Sequence, residues 1–151
     1  MAGEIIWDVG SAITLETTNL NSFAANETLL TSAITGSGQY TLAKVGLYLA
    51  VQGSARDAGG YCSLYVLPEF EATNDEYPAG GSGTPGVIPM STYKRENLLY
   101  TTAVTAEWAF TNPFAADFAD MKVWVQNKTG VAFNASGNIL KIIFGTPKVS
   151  A

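Results

Sequence analysis

From Tyr40 to Val51 the chain alternates strictly: Ala43, Val45, Leu47, Leu49 and Val51 are apolar at every second position. A period of two places all of them on one face of an extended strand, whereas a helix would scatter them around its circumference. The opposite face carries Tyr40, Leu42, Lys44, Gly46 and Tyr48, a mixed set suited to solvent or to a partner. The pattern recurs in Ile13, Leu15 and Thr17, in the short apolar run 28–34, and in Tyr61 to Leu67, which ends at Pro68. It returns in Tyr100, Thr102, Val104, Ala106, Trp108 and Phe110, expected to share the buried face of one strand, and in Met121, Val123 and Val125. Asn127-Lys-Thr-Gly130 and Asn134-Ala-Ser-Gly-Asn138 are turn sequences with Gly where a positive φ is wanted. They divide strands at 121–126, 131–133 and 139–144, read as a hairpin or meander. About eight strands are too many for one open sheet with a face in water, so the expected fold is all-β: an antiparallel β-sandwich of jelly-roll type.

Other segments punctuate this pattern. Asn112 to Asp120, with Pro113 after an Asn cap, predicts one or two helical turns. Between Pro68 and Tyr93 runs one long loop rich in Gly and Pro, containing Gly80-Gly-Ser-Gly-Thr-Pro-Gly86, expected to face solvent or a neighbouring subunit. Residues 1–10 read as an N-terminal arm or a first strand, and 11–151 as a single β-sandwich domain. The first residues show neither the basic nor the apolar stretch of a secretory signal, and no apolar run approaches a membrane span. A protein made in the cytoplasm, with no membrane partner, is expected.

Charge narrows the function. Only 14% of the residues are charged against 47% hydrophobic, so Thr, Ser, Asn, Gly and exposed apolar atoms must cover the surface, which suits a protein partly covered by neighbours. Eight basic against thirteen acidic residues give a net charge of −5, which repels nucleic acid. The close basic pair Lys94 and Arg95 is followed at once by Glu96.

Histidine is absent, which removes the commonest general base, the Ser-His-Asp triad and most transition-metal sites. The one cysteine, Cys62, sits in a strand-like run and reads as buried and inert. Glu69, Glu71, Asp75 and Glu76 match no calcium-loop spacing; they read as a solvated acidic loop, able also to pair with Lys94 and Arg95 of a neighbouring copy. A glycoside hydrolase would need two of these carboxylates at a fixed separation. The Asn-x-Ser/Thr triplets at Asn26, Asn127 and Asn134 read as chance in a chain this rich in Asn and Thr. No catalytic residue, cofactor or metal site is expected. Among the aromatics, Tyr48, Tyr93 and Trp124 lie on the less apolar faces and are candidate contact residues, with Trp7 in the acidic N-terminal segment.

The run Met121-Lys-Val-Trp-Val-Gln-Asn-Lys-Thr-Gly-Val-Ala-Phe-Asn-Ala-Ser-Gly-Asn-Ile-Leu-Lys-Ile resembles the ending of a group of small tailed-bacteriophage structural proteins. There a hydrophobic strand leads to Asn-x-Thr-Gly, a short apolar segment, a Ser/Thr-Gly-Asn turn and a final strand. Upstream, Asn19, Leu20, Asn21 and Ser22, the long alternating strand and the Gly/Pro-rich loop are also similar, so the resemblance spans residues 11 to 147. It implies a virion component such as a head decoration (cement) protein: an oligomer, with a trimer favoured, bound to the major capsid protein on the capsid exterior. The alternative is a carbohydrate-binding or other tail- or fibre-associated sandwich module.

Overall fold

The computed structural model describes residues 5–35, 40–68, 94–116 and 120–149. Eleven strands run in chain order: β1 (Ile5–Val9), β2 (Ile13–Glu16), β3 (Thr28–Leu30), β4 (Ile34–Thr35), β5 (Leu42–Leu49), β6 (Tyr61–Pro68), β7 (Lys94–Leu99), β8 (Glu107–Phe110), β9 (Phe114–Ala115), β10 (Asp120–Lys128) and β11 (Ile139–Val149). Eight are principal, and their pairing shows the topology. The first pairs with the last (β2 with β11), the second with the seventh (β3 with β10), the third with the sixth (β5 with β8), and the fourth with the fifth (β6 with β7), all antiparallel. One long hairpin has thus been rolled up. Pairing of β11 with β5 joins two of these pairs into the first sheet, and pairing of β10 with β6 joins the other two into the second. This is a jelly roll. The short strands β1 and β9 extend the first sheet, and β4 the second.

Alternation places the core where the sequence put it. Ala43, Val45, Leu47 and Leu49 of β5, with Leu140, Ile142 and Phe144 of β11, face Met121, Val123 and Val125 of β10 and Cys62, Leu64 and Val66 of β6. Each fully buried aliphatic side chain contributes about 1.5–3 kcal/mol of transfer free energy. Cys62 lies within this core, and burial pushes its thiol far above the usual range, so it is unreactive. Val51, the last residue of the alternating run, has left the strand and is exposed.

Several sequence expectations are corrected. The run 100–110 is not one strand: β7 ends at Leu99, β8 begins at Glu107, and the residues between form a connection. Tyr100 turns inward and its hydroxyl donates to Leu47 O, whereas Trp108 and Phe110 stand on the outer face opposite Tyr48 and Gly46. The apolar run 28–34 is broken into β3 and β4 at Thr31, whose hydroxyl accepts from Val123 N and donates to Ser32 O. Residues 131–133 are no strand but part of an arch that carries the chain from β10 in one sheet to β11 in the other, so the C-terminal segment is not a meander. Phe133 anchors the arch, buried 5.4 Å from the Phe23 ring. Phe114 and Ala115, expected in a helical turn, instead pair with Ala43 and Leu42; residues 117–119 lie outside the described residues.

The arch turns as its glycines allow: Gly130 has φ 84° and Gly137 φ 87°. At the same end of the strands, Glu16 holds the 17–19 turn by accepting from Thr17 N, Asn19 N and Asn19 Nδ2. Partial burial raises its pKa, but these hydrogen bonds outweigh that and leave it below the ordinary value. A carboxyl depressed in the folded state contributes stability above its unfolded pKa, and loses it as pH falls through the folded one. In urea unfolding, Glu16→Gln is expected to lower the midpoint more at pH 7 than at pH 3; an equal loss at both would exclude a charge effect.

Candidate binding face

The outer face of the first sheet is built from every second residue of its strands. From one edge to the other it presents Trp7 and Val9 of β1, Ile143 and Lys141 of β11, Lys44, Gly46 and Tyr48 of β5, and Phe110 and Trp108 of β8. Large apolar side chains remain open to solvent here, with Trp7 53%, Phe110 51% and Trp108 40% exposed. Isolated exposed apolar residues need no explanation, but a contiguous set marks a contact surface.

Its aromatic end is ordered by close contacts. The Trp108 and Phe110 rings are parallel within 5° at 5.5 Å, and Tyr48 leans on Trp108 at 5.2 Å. Gly46 makes room for them: a Cβ there would lie 2.7 Å from the Phe110 ring. Lys44 Nζ sits 4.7 Å from the centre of that ring, a cation–π contact that holds the ammonium on the face. Beside the rings runs an apolar groove of about 240 Å³ lined by Ala12, Lys44, Lys141 and Ile143. Toward the other edge a second groove, of about 340 Å³, lies among Trp7, Val9, Leu42, Pro113 and Ile143. Among the described strand residues of this face, the charged side chains are Lys44 and Lys141, so a local positive patch lies on an acidic protein.

Behind the aromatic end stands a buried support. The Arg56 guanidinium, without solvent exposure, binds the Glu107 carboxylate at 2.7 Å through NH1, which also reaches Thr101 O and Ala103 O; NH2 donates to Thr105 O. The group lies 5.4 Å from the Tyr100 ring centre, and Glu107 accepts in turn from Thr101 N. These bonds fold the connection 100–106 and deliver β8 in the orientation that turns Trp108 and Phe110 outward.

The sequence candidates fall on different surfaces. Trp7 and Tyr48 lie on this one face. Trp124 lies on the outer side of the second sheet, 1% exposed, edge-on to Tyr65 at 5.0 Å and beside Leu67, so its ring is already covered. Lys94 and Arg95 open β7 at the edge of that sheet, and their side chains lie outside the described set, as do Glu69, Glu71, Asp75, Glu76, Tyr93 and the loop 69–92. Sequence reasoning missed Trp108 and Phe110 as surface groups because it assigned them to the buried face of an unbroken strand. The signal that finds them is pairing: opposite Tyr48 and Gly46, they must share the mixed face of β5.

The strand order makes the chain a jelly-roll sandwich with the outer face of one sheet left apolar and aromatic. No family model matches the chain and no curated protein does. Among solved structures, a chain in the capsid of Ralstonia phage GP4 superposes with a TM-score of 0.50 at 14% identity, over 99% of this chain and 88% of that one. The SPBc2 prophage-derived protein YomS gives 0.43 at 14% identity, over 93% and 96%. TmCBM61, solved with β-1,4-galactotriose, gives 0.33 at 10% identity, over 95% and 88%. At 14% identity the GP4 likeness is one of fold.

Proposed function

We propose that this is a structural protein of a tailed-bacteriophage virion, a decoration (cement) protein that binds the major capsid protein on the head exterior. The outer face of the first sheet would be its contact surface. One observation carries the reading: an ordered, solvent-exposed aromatic and cationic face on a domain with very few charges. The phage-type sequence pattern and the fold shared with a chain of the GP4 capsid support it. The role is binding rather than catalysis, and it needs no nucleic acid. Binding the assembled lattice better than free subunits stabilises the head by mass action.

The test uses heads of the source phage prepared without this protein. Central aromatic anchors of an interface cost about 2 kcal/mol or more when truncated, and 1.4 kcal/mol is a factor of ten. The double change Trp108→Ala and Phe110→Ala is therefore expected to weaken head binding by at least about tenfold, compared under conditions where circular dichroism shows wild type and variant both folded. Binding at wild-type strength would remove this face from the interface.

A carbohydrate-binding role is the second reading, favoured by the part-exposed Trp108 ring beside the apolar groove, where an aromatic can pack against the apolar face of a sugar. Calorimetric titration with oligosaccharides, with binding lost in Trp108→Ala, would establish it.

A further inference from the structure

The edges of the two sheets are not alike. β7, at the edge of the second sheet, begins Lys94-Arg95-Glu96, and such charges keep an open edge from pairing with other chains. β1, at the edge of the first, reads Ile5-Ile-Trp-Asp-Val9. It pairs with β11 on one side, and no strand among the described residues pairs with the other. Ile6, Trp7 and Val9 are each about half exposed. The single charge, Asp8, is matched by Lys148 of the adjoining strand.

Parity shows which main-chain groups are free. Gly10 N donates to Phe144 O at 2.9 Å, and Pro147, opposite Trp7, has no N–H to give. Bonded and non-bonded pairs alternate along an antiparallel ladder. Ile6 and Asp8 therefore bond to β11, and Ile5, Trp7 and Val9 direct their N–H and C=O groups to the open edge.

We propose that this edge recognises itself: the β1 strands of two copies pair antiparallel across a two-fold axis at Trp7, fusing their first sheets into one. Symmetry restricts the register. A residue and its mate must have the same pair type, which the alternation permits only if one residue lies opposite itself. With Trp7 on the axis, Ile5 faces Val9 of the second copy, and all three residues with free groups enter bonded pairs. With Ile6 on the axis Val9 falls outside the ladder, and with Asp8 on it two carboxylates oppose each other. The fit of this short segment to its own reverse makes a second copy, rather than another chain's strand, the partner. Pairing would bring two outer faces side by side, so a head surface would be gripped by two linked sites. That consequence rests on the proposed head binding; the pairing itself does not.

The test is done in solution without heads. Cα atoms of a bonded pair lie about 5.5 Å apart, within reach of a disulfide, and Cys62 is buried and silent. Under mild oxidation Trp7→Cys is expected to give a covalent dimer at least tenfold faster than Ile6→Cys, Asp8→Cys or the exposed control Val51→Cys. No advantage over Val51→Cys, or fastest coupling at residue 6 or 8, overturns the proposal. As a second variant, Trp7→Pro removes one open-edge N–H and leaves the bonds to β11 intact. Light scattering is expected to show a concentration-dependent dimer in the wild type and a folded monomer in Trp7→Pro. A wild-type monomer at every concentration, a trimer, or a dimer untouched by Trp7→Pro overturns the pairing. Heads that still bind a chain shown not to pair would leave the head-binding reading standing.

Discussion

Asn127→Asp is expected to remove a large part of the protein's stability at neutral pH. Asn127 has no solvent exposure, and its amide lies where three segments meet. Nδ2 donates to Phe23 O at 3.0 Å, Ala24 O at 3.1 Å and Val131 O at 2.8 Å, while Oδ1 accepts from Thr129 N at 2.9 Å and Thr129 Oγ1 at 2.7 Å. Its main chain bonds in both directions to the 26–27 turn. One side chain thus ties the β2–β3 connection to the arch between β10 and β11. Aspartate keeps the shape but removes both amide hydrogens and sets a charge against three carbonyl oxygens. Buried uncompensated charge and lost donors together cost upwards of about 4 kcal/mol, against a total stability of about 5–15 kcal/mol. The sign of the pH response identifies the cause. The introduced carboxyl is raised above its unfolded pKa in that site, so the variant should regain stability as pH falls toward the unfolded value. Urea midpoints at pH 7 and pH 5 measure this; a variant equally stable at both would show that water reaches the site. Asn127→Ala, with no charge to bury, is expected to cost less, roughly 2–4 kcal/mol.

The same residues show what the sequence made legible. Asn-x-Thr-Gly was readable as a turn, and Gly130 is a turn residue: its φ is positive, and a Cβ would lie 2.0 Å from the Asp57 carboxylate. What could not be read was that Asn127 and Asn138 serve distant chain. Asn138, 1% exposed, donates to Leu20 O and Asn134 O and accepts from Ala50 N, so it clamps two connections to the arch. Partners more than a hundred residues away leave no local periodicity. Alternation succeeded where strands are long and one face is core, as in β5 and β10, because a slip of one residue would expose the whole set. It failed at 100–110, where continuous alternation crosses a connection folded by a side chain from elsewhere. The candidate face was only half visible for that reason: Tyr48 was found on the mixed side of the clearest strand, and its neighbours on β8 were assigned inward.

That side chain is Arg56, and replacing it with Met is expected to cost about 3–5 kcal/mol, the usual loss when one partner of a buried ion pair is removed. The methionine stem would fill much of the space above Tyr100, so the loss is polar in origin. Three carbonyls, of Thr101, Ala103 and Thr105, lose their guanidinium donor, and Glu107 is left with the Thr101 donors alone. Arg56→Lys is expected to do little better, because one ammonium cannot span the fork that reaches a carboxylate and three carbonyls. Adding Glu107→Gln to Arg56→Met should recover part of the loss by removing the orphaned charge, a coupling that a double-mutant cycle measures directly. The effect should also travel. Residues 101–106 run straight into β8, so hydrogen exchange should quicken from 101 to 110 before it quickens in β5 or β11. Trp108 and Phe110 would then lose their fixed stacking, and the proposed head binding should fall even under conditions where the variant remains folded. Unchanged exchange over 101–110 would mean that the connection is held by its own turns, and that Arg56 supports the core rather than the binding face.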